Sequence, residues 1–307
     1  GEFMWLGGDG LVKVNRTTGE KTWYDHANSG LPGNEVRALA LDSQGNLWIG
    51  TNGGLAKYDG TSWSVFTIHN SGLPVNQVSC LAIDASGVIW IGTSGQYVGT
   101  GGLVSYDGSN WTLYNTHNSG LTDNSIRTVA IDPAGVKWIG TGSSLAVFDG
   151  INWVSYNSGN SGLPGSSVLS IAIDPAGVKW IGTGFHGLVK YDGNSWTVFN
   201  STNSGITSNK IEAIAIDAHG YKWLATYSGG LVQYNGTSWI PYKTDNSGVP
   251  NNNAHTVIVD AGSSVWVGTD NGSAQLNNGS WFQYNIANSA LTSAEILSLA
   301  CDNVGNT

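Results

Sequence analysis

The stretch "NSGLPVNQVSCLAIDASGVIWIGT" at residues 70–93 returns almost unchanged at residues 118–141 as "NSGLTDNSIRTVAIDPAGVKWIGT". Its tryptophan recurs along the whole chain at intervals of 42 to 48 residues, at Trp5, Trp48, Trp90, Trp138, Trp180, Trp223 and Trp266. A period of this length is typical of repeat architectures, in which every copy is one supersecondary unit. The sequence therefore predicts seven copies of one structural unit.

Each copy divides into four short segments rich in β-branched and aromatic residues. In the copy that begins at Val78 these read "VSCLAID", "IWIGT", "GLVSYDG" and "NWTLYN", and they are separated by Gly, Asn, Asp and Pro. In the connecting "DASG", the Asp side chain can bond its own backbone and the Gly can adopt positive φ, as tight hairpins require. Four short strands without a helical period favour a propeller blade. We therefore predict an all-β fold, a single seven-bladed β-propeller with four antiparallel strands per blade.

The two ends of the chain divide one copy between them. The chain starts with a second strand at residues 4–8 and ends with a first strand at residues 295–302. A ring closed by three N-terminal strands and one C-terminal strand leaves no open sheet edge, and open edges invite mispairing. We therefore expect these two segments to pair within one domain that spans residues 4–307. The leading "GEF", residues 1–3, resembles a cloning remnant.

The composition argues against several classes of protein. Only 11% of the residues are charged, whereas 44 are Gly and 14 are Trp. The tryptophans fall on two repeat positions, with Trp23 displaced by two residues, so we interpret all of them as packing between blades. No run of about 18 apolar residues is present, which argues against insertion in a membrane. A net charge of −9 without any basic cluster argues against a nucleic-acid partner.

The repeat also resembles a known family. "SSVLSIAIDPAGVKWIGTGFHGLVKYDG" at residues 166–193 is similar to the two-component regulator propeller repeat, and the likeness covers essentially the whole chain. Members of that family form extracytoplasmic sensor regions of bacterial hybrid histidine kinases, often those that respond to glycans, and similar propellers occur in secreted proteins. The resemblance implies a bacterial sensor or binding domain that is periplasmic or secreted. It implies no cofactor, and its motif carries no catalytic residue.

Comparison of the copies separates scaffold from candidate site, because a residue that all copies share is expected to serve the scaffold, whereas one ligand would select differences between copies. One shared carboxylate follows the first strand of each copy, as Asp42, Asp84, Asp132, Asp174, Asp217, Asp260 and Asp302. A second lies between the third and fourth strands, as Asp59, Asp107, Asp149 and Asp192. We predict that both sets stabilise turns and that neither is catalytic.

One position at the start of the innermost strand differs between copies. It is occupied in order by Arg37, Ser79, Arg127, Leu169, Glu212, His255 and Leu297. Two of the three arginines of the chain fall there, although a desolvated guanidinium requires an anionic partner. That partner could be Glu212, in a structural ion pair across a hydrated channel, or a ligand that carries a carboxylate or a sulfate. Arg37, Arg127, Glu212 and His255 are therefore candidate ligand-binding residues.

The loop at residues 93–102, "TSGQYVGTGG", is longer than its six counterparts and lies on the same end of the ring as this position. Lengthened loops carry function more often than scaffold, and an insertion that is merely tolerated is the alternative. Tyr97 could stack there on a sugar ring. In the equivalent loops of other blades, Phe185 and Tyr227 could do the same, and His186 could form a hydrogen bond to the ligand.

Histidine and cysteine positions predict neither a metal site nor a disulfide. His69 and His117 occupy equivalent loop positions on neighbouring blades, about 10 Å apart, whereas two ligands of one Zn²⁺ lie about 2 Å from it. Cys80 and Cys301, the only cysteines, are offset by three positions in strand register. That offset is roughly 10 Å, beyond the reach of a disulfide. We expect no metal site and two free, buried thiols.

The function that best fits these patterns is a non-catalytic ligand-binding or sensor propeller for a glycan or another extracytoplasmic small molecule. An enzyme, such as a propeller-based polysaccharide lyase or hydrolase, is one alternative, since Tyr97, Arg127, His117 and His255 could converge on a substrate. A scaffold that binds a protein partner is the other, and a flat, apolar end of the ring would favour it.

Overall fold

The computed structural model describes residues 2–95, 99–165, 167–289, 291 and 293–302. Within these residues the chain forms 28 β-strands in seven four-stranded antiparallel sheets. The predicted seven-bladed β-propeller is confirmed. No helix in this described part of the chain has the length and apolarity that a membrane span requires.

From the central channel outward, the strands fall into four series. The innermost strands are β4 (Val36–Leu41), β8 (Val78–Ile83), β12 (Ile126–Ile131), β16 (Val168–Ile173), β20 (Ile211–Ile216), β24 (Ala254–Val259) and β28 (Ile296–Cys301). The second strands are β1 (Phe3–Gly8), β5 (Leu47–Thr51), β9 (Ile89–Ser94), β13 (Lys137–Thr141), β17 (Lys179–Thr183), β21 (Lys222–Thr226) and β25 (Val265–Thr269). The third strands are β2 (Gly10–Asn15), β6 (Leu55–Tyr58), β10 (Gly101–Tyr106), β14 (Leu145–Phe148), β18 (Leu188–Tyr191), β22 (Gly230–Tyr234) and β26 (Gly272–Asn277). The outer strands are β3 (Lys21–Tyr24), β7 (Trp63–Phe66), β11 (Trp111–Tyr114), β15 (Trp153–Tyr156), β19 (Trp196–Phe199), β23 (Trp239–Tyr242) and β27 (Ser280–Tyr284).

Blade 1 joins the two ends of the chain, in the order β28, β1, β2, β3, and blades 2 to 7 each consist of four consecutive strands. Strand β1 pairs with β28 from Met4↔Cys301 to Gly8↔Ile296, which confirms the expected closure. Phe3 N donates to Asp302 Oδ1 at 2.9 Å, and Asn46 N donates in the same way to Asp42 Oδ1 in blade 2. The chain ends therefore reproduce the bonds of a continuous hairpin. Strand β1 begins at Phe3, so the last residue of the leading "GEF" segment is part of blade 1.

The apolar core lies between neighbouring blades. The tryptophans of the second strands are at most 6% exposed, and each belongs to a cluster shared by two blades; Trp48 of blade 2, for example, packs with Val78 and Ile91 of blade 3. In blades 2 to 6 the outer tryptophan stacks on an aromatic side chain of the third strand, as Trp196 does on Tyr191 with ring centroids 4.1 Å apart. Large rings filling the space between blades are the arrangement that the repeat predicts.

The repeated aspartates stabilise turns, as predicted. In Asp174, Oδ1 accepts the backbone N–H groups of Ala176 and Val178. Its Oδ2 accepts the indole N–H of Trp180 at 3.1 Å, and the same bond recurs in blades 2, 3, 4, 6 and 7 at 3.0 to 3.3 Å. An aspartate six residues before the tryptophan thus ties the hairpin to its own buried tryptophan in these six blades, a bond that sequence reasoning missed. The second set of aspartates also stabilises turns. The backbone N–H groups of Ser195 and Asn194 donate to Asp192, and these bonds lower its pKa to about 2.

The glycine of each "NSG" loop lies against an outer tryptophan of the next blade. A Cβ added at Gly162 would lie 2.4 Å from Cβ of Trp196, and five other copies show the same close approach at 2.2 to 2.4 Å. The seventh copy reads "NSA" in the sequence, with Ala290 outside the described residues. The position in blade 1 that corresponds to the outer tryptophan carries Lys21, as the pairing Val14↔Lys21 shows. The glycine and the tryptophan are thus replaced together, a sequence pattern that indicates the contact seen between them in the other six copies.

Cys80 and Cys301 are free and partly buried. Burial raises the pKa of the Cys80 thiol to about 12, so it is a poor nucleophile near neutral pH.

Candidate ligand site at the channel mouth

The variable position of the innermost strand coincides with a β-bulge in every blade. In blade 2, Val36 pairs with Thr51 and Ala38 with Gly50, so Arg37 between them has no partner residue on β5. The same register shift occurs in the other six blades. A bulge re-aims the side chain of the extra residue, and it turns one side chain per blade toward the mouth of the channel.

These seven side chains converge. They line one cavity of about 430 Å³ together with Glu35, Ser94 and Ile126. The seven are Arg37, Ser79, Arg127, Leu169, Glu212, His255 and Leu297, and we call them the tier. The predicted Arg37, Arg127, Glu212 and His255 are therefore brought together at one end of the channel.

The partner of Arg37 is not Glu212, as sequence analysis allowed, but Glu35. Glu35 Oε1 accepts from Arg37 Nε at 2.8 Å and lies 2.7 Å from Nη2. The Gln77 amide, oriented with its oxygen toward Arg37, accepts from Nη1 at 2.6 Å. Glu212 pairs instead with Lys210, at 2.6 Å. Each charge thus finds a partner two residues away on the same chain segment, where the bulge brings both side chains to one side.

His255 is bonded to a carboxylate of its own blade. Its Nε2 lies 2.5 Å from Oδ1 of Asp270, and Asp270 Oδ2 accepts from Asn253 Nδ2 at 2.6 Å. Burial alone would raise the pKa of Asp270, but the bonds from His255 and Asn253 lower it below its ordinary value. Glu295 of blade 1 lies 3.9 Å from the same His255 nitrogen.

Arg127 differs from the other charged tier members. Its side chain is exposed, and no hydrogen bond or ion pair links it to another residue in the described part of the chain. The positions that hold the partners of Arg37 and His255 in their blades are filled around Arg127 by Ser125, Gly142 and Ser167. These small residues supply no carboxylate. The Asp123 carboxylate approaches Gly142 from nearby, but among the described residues it forms no ion pair with Arg127, so the guanidinium stays available at the mouth.

A second cavity of about 530 Å³ adjoins the first. Glu35 and Arg37 line both, and the second cavity extends past Asn52 to Gly95 and Thr100 at the two ends of the long loop. The long loop therefore borders a recess next to the tier. Tyr97 itself lies outside the described residues.

The other predicted loop residues do not line the channel cavity. Phe185 is 75% exposed, and His186 packs against Gly165, where an added Cβ would lie 2.3 Å from Nδ1. Tyr227 is connected to the tier indirectly, because Lys210, the partner of Glu212, lies 4.5 Å from the centre of its ring. His117, one of the residues considered for catalysis, is exposed and also lies outside the lining of this cavity.

Sequence reasoning missed the residues that hold the tier. Asp270 and Glu295 occupy two further repeat positions that vary between copies. Asp270 is the first residue after a second strand, and Glu295 lies two residues before a tier residue, Leu297. The backbone bond from Asp270 N to Asn253 O places these two positions side by side, and it recurs as Asn52 N to Glu35 O in blade 2. Comparing all three positions across copies, instead of one, would have found them.

Comparisons with known proteins agree with this fold. The sequence profile described as two component regulator propeller matches residues 30–53 and 72–95. No curated protein matches the sequence. Among solved structures, the extracellular domain of the putative one component system BT4673 from B. thetaiotaomicron is 21% identical with a TM-score of 0.54, covering 98% of this chain and 48% of that one.

Two further structures are similar. PorZ, a bacterial surface component of the type-IX secretion system of Porphyromonas gingivalis, is 20% identical with a TM-score of 0.71, covering 96% of this chain and 48% of that one. Virginiamycin B lyase from Staphylococcus aureus is 14% identical with a TM-score of 0.66, covering 81% and 84%. At these identities the likeness shows the fold alone, and the chain spans about half the length of BT4673 and PorZ. Two segments of the chain, residues 30–53 and 72–95, therefore match the two component regulator propeller profile, and both lie within a seven-bladed β-propeller.

Proposed function

We propose that this propeller is a non-catalytic binding or sensor domain outside the cytoplasm, and that it holds an anionic ligand, a glycan bearing a carboxylate or a sulfate, at the channel mouth. The observation that carries the proposal is Arg127, a guanidinium in the tier that has no partner among the described residues. Guanidinium groups bind carboxylates and sulfates through two parallel hydrogen bonds, which gives both affinity and orientation.

The remaining tier charges favour a ligand at this one point. Arg37, Glu212 and His255 are each paired with a charged neighbour, so Arg127 is the attractive centre for an anion. The cavity of about 430 Å³ lies within the range of small-molecule sites, and the adjoining recess would let a longer ligand extend toward the long loop. The likeness to extracellular domains of regulators supports a location outside the cytoplasm.

The two alternatives have less support. For an enzyme, His117 does not line the cavity with Arg127 and His255, and likeness to a lyase at 14% identity concerns the fold. For a protein scaffold, the expected surface is flat and apolar, whereas this mouth is concave and lined by four ionisable side chains of the tier.

The test is a panel of oligosaccharides that are uncharged, uronic-acid-containing or sulfated, measured for binding by calorimetry and for cleavage by release of reducing ends. We expect binding that is confined to acidic members, weakens as salt rises, and leaves the chains intact. Cleavage of any bound chain would contradict a non-catalytic role. Equal binding of neutral and acidic members would contradict the assignment of Arg127 as the anchor.

A further inference from the structure

Three potential metal ligands from two blades meet beside the tier. His255 lies in β24, Asp270 follows β25, and Glu295 precedes β28. One nitrogen or oxygen atom of each lies within 4.8 Å of the others, and they form the one such group of three or more among residues 2–95, 99–165, 167–289, 291 and 293–302. Sequence analysis did not identify this group, because its members are separated by 15 and 25 residues along the chain and meet only in the folded ring.

The backbone fixes all three residues. His255 is the bulged residue between the pairs Ala254↔Thr269 and Thr256↔Gly268, and Asp270 follows Thr269 directly. The segment before Glu295 is held to blade 7 by the bond from Gly272 N to Ala294 O at 2.5 Å. On the other side, Gly8 packs so closely on the Glu295 carbonyl that an added Cβ would lie 2.0 Å from it.

The Asp270 carboxylate is also oriented. Asn253 Nδ2 donates to Oδ2 at 2.6 Å, which leaves Oδ1 directed at His255 Nε2. Carboxylate ligands of metal ions are commonly held by hydrogen bonds of this kind from outside the coordination shell. Glu295 is 54% exposed, so its carboxylate is free to move the short distance that coordination requires.

We propose that His255, Asp270 and Glu295 bind a divalent transition-metal ion, with Zn²⁺ as the best match, at the channel mouth. One imidazole nitrogen and two carboxylate oxygens are ligands that Zn²⁺ takes at about 2.0 to 2.2 Å. Ca²⁺ and Mg²⁺ prefer oxygen ligands alone and fit this set less well. Because His255 also lines the tier cavity, the remaining coordination positions would face the channel, open to water or to a ligand oxygen. The site departs from the expectation of a metal-free propeller.

Such an ion would connect blade 7 to β28, the strand that closes the ring. Asp270 and His255 belong to blade 7, whereas Glu295 leads directly into β28. An ion that binds only the folded ring stabilises it in proportion to its concentration over Kd. Zn²⁺ should therefore raise the melting temperature, and it should do so without any glycan. The inference does not depend on the proposed function, since metal alone is the probe.

The experiment is calorimetric titration of the full chain, freed of metal by a chelator, with ZnCl₂, MnCl₂, CaCl₂ and MgCl₂, together with thermal unfolding in each salt. We expect one Zn²⁺ per chain, weaker Mn²⁺ binding, and no saturable Ca²⁺ or Mg²⁺ binding. Glu295→Gln and Asp270→Asn should each weaken Zn²⁺ binding at least tenfold and remove the rise in melting temperature. Asn253→Ala, which frees the Asp270 carboxylate, should weaken it about tenfold.

His69→Ala and His117→Ala are matched controls, because both histidines are exposed and lie outside the group. They should leave Zn²⁺ binding unchanged. If Zn²⁺ binding is lost in these controls, or is unchanged in Glu295→Gln and Asp270→Asn variants that melt like the parent without metal, the proposal is wrong. His255, Asp270 and Glu295 would then form an ion-pair network only.

Discussion

The two ends of the channel are built from the same seven copies, yet they differ in what the copies share. At the turn end, a cavity of about 490 Å³ is lined by the same residue types from blade to blade, such as Ile131 with Asp132 and Ile173 with Asp174. At the other end, the tier presents arginine, serine, leucine, glutamate and histidine at one repeated position. The comparison indicates that the shared end maintains the ring, whereas the variable end carries the proposed ligand site.

The sharing has a physical basis at each end. A turn aspartate that bonds its own hairpin and its own tryptophan is needed equally by every blade, so each copy keeps it. A tier residue sits on a bulge and lines the channel mouth, where the proposed ligand would meet each blade at a different point. Substitutions at the two ends should therefore affect different measurements, folding stability at one and binding at the other.

The largest effect is expected where the ring itself is opened. Deleting residues 295–307 removes β28, whose Ile296 and Leu299 are buried, and leaves an unpaired edge on β1. Because burial of each such side chain contributes about 2 to 5 kcal/mol, we expect the melting temperature to fall by more than 10 °C or the chain to aggregate. Thermal unfolding and gel filtration measure this. An unchanged melting temperature would mean that closure by β28 does not stabilise the ring.

A smaller effect is expected at the contact between blades. Gly162→Ala would place a methyl group against Trp196, and overpacking of this kind costs about 1 to 3 kcal/mol. Gly159→Ala in the same loop is the control, because the nearest atom there is Asn157 Oδ1 at 3.2 Å. Denaturant unfolding of both variants compares the two sites directly. Equal free energies of unfolding would show that the close approach of Trp196 does not require glycine at position 162.

Acid should weaken the shared end. Burial would raise the pKa of Asp84, but hydrogen bonds from Ser86, Trp90 and Val88 outweigh it and lower the pKa. A carboxyl whose pKa is lower in the folded chain adds stability above its unfolded pKa of about 4, and that stability is lost as pH falls below this value. Asp84→Asn should reduce the unfolding free energy by about 1 to 2 kcal/mol at pH 7, with the difference from the parent narrowing toward pH 3. A difference that stays constant with pH would contradict this role.

The sequence was sufficient for the fold because the period, the turn residues and the divided copy at the chain ends are all local patterns. It was also sufficient for the tier, since one repeated position held Arg37, Arg127, Glu212 and His255. It was not sufficient for their partners. Those depend on the bulge and on strand register, which set Glu35 beside Arg37, and on contacts between blades.

The loop residues show the same limit. His186 and Tyr227 were predicted to bind the ligand from their repeat position, and this stays a prediction, but loop length and local packing decide where such side chains lie. His186 packs on Gly165 and Tyr227 on Lys210, so neither lines the tier cavity.

The most direct test of the difference between the two ends is a paired measurement on Arg127→Ala, its melting temperature and its affinity for an acidic oligosaccharide that binds the parent chain. We predict a melting temperature within experimental error of the parent and an affinity lower by about 1.5 to 3 kcal/mol, the contribution of hydrogen bonds to a charged group. Arg37→Ala, which breaks a partly exposed ion pair, should instead cost up to about 1 kcal/mol of stability. A lower melting temperature for Arg127→Ala with unchanged affinity would contradict the account, because the variable end would then be scaffold as well.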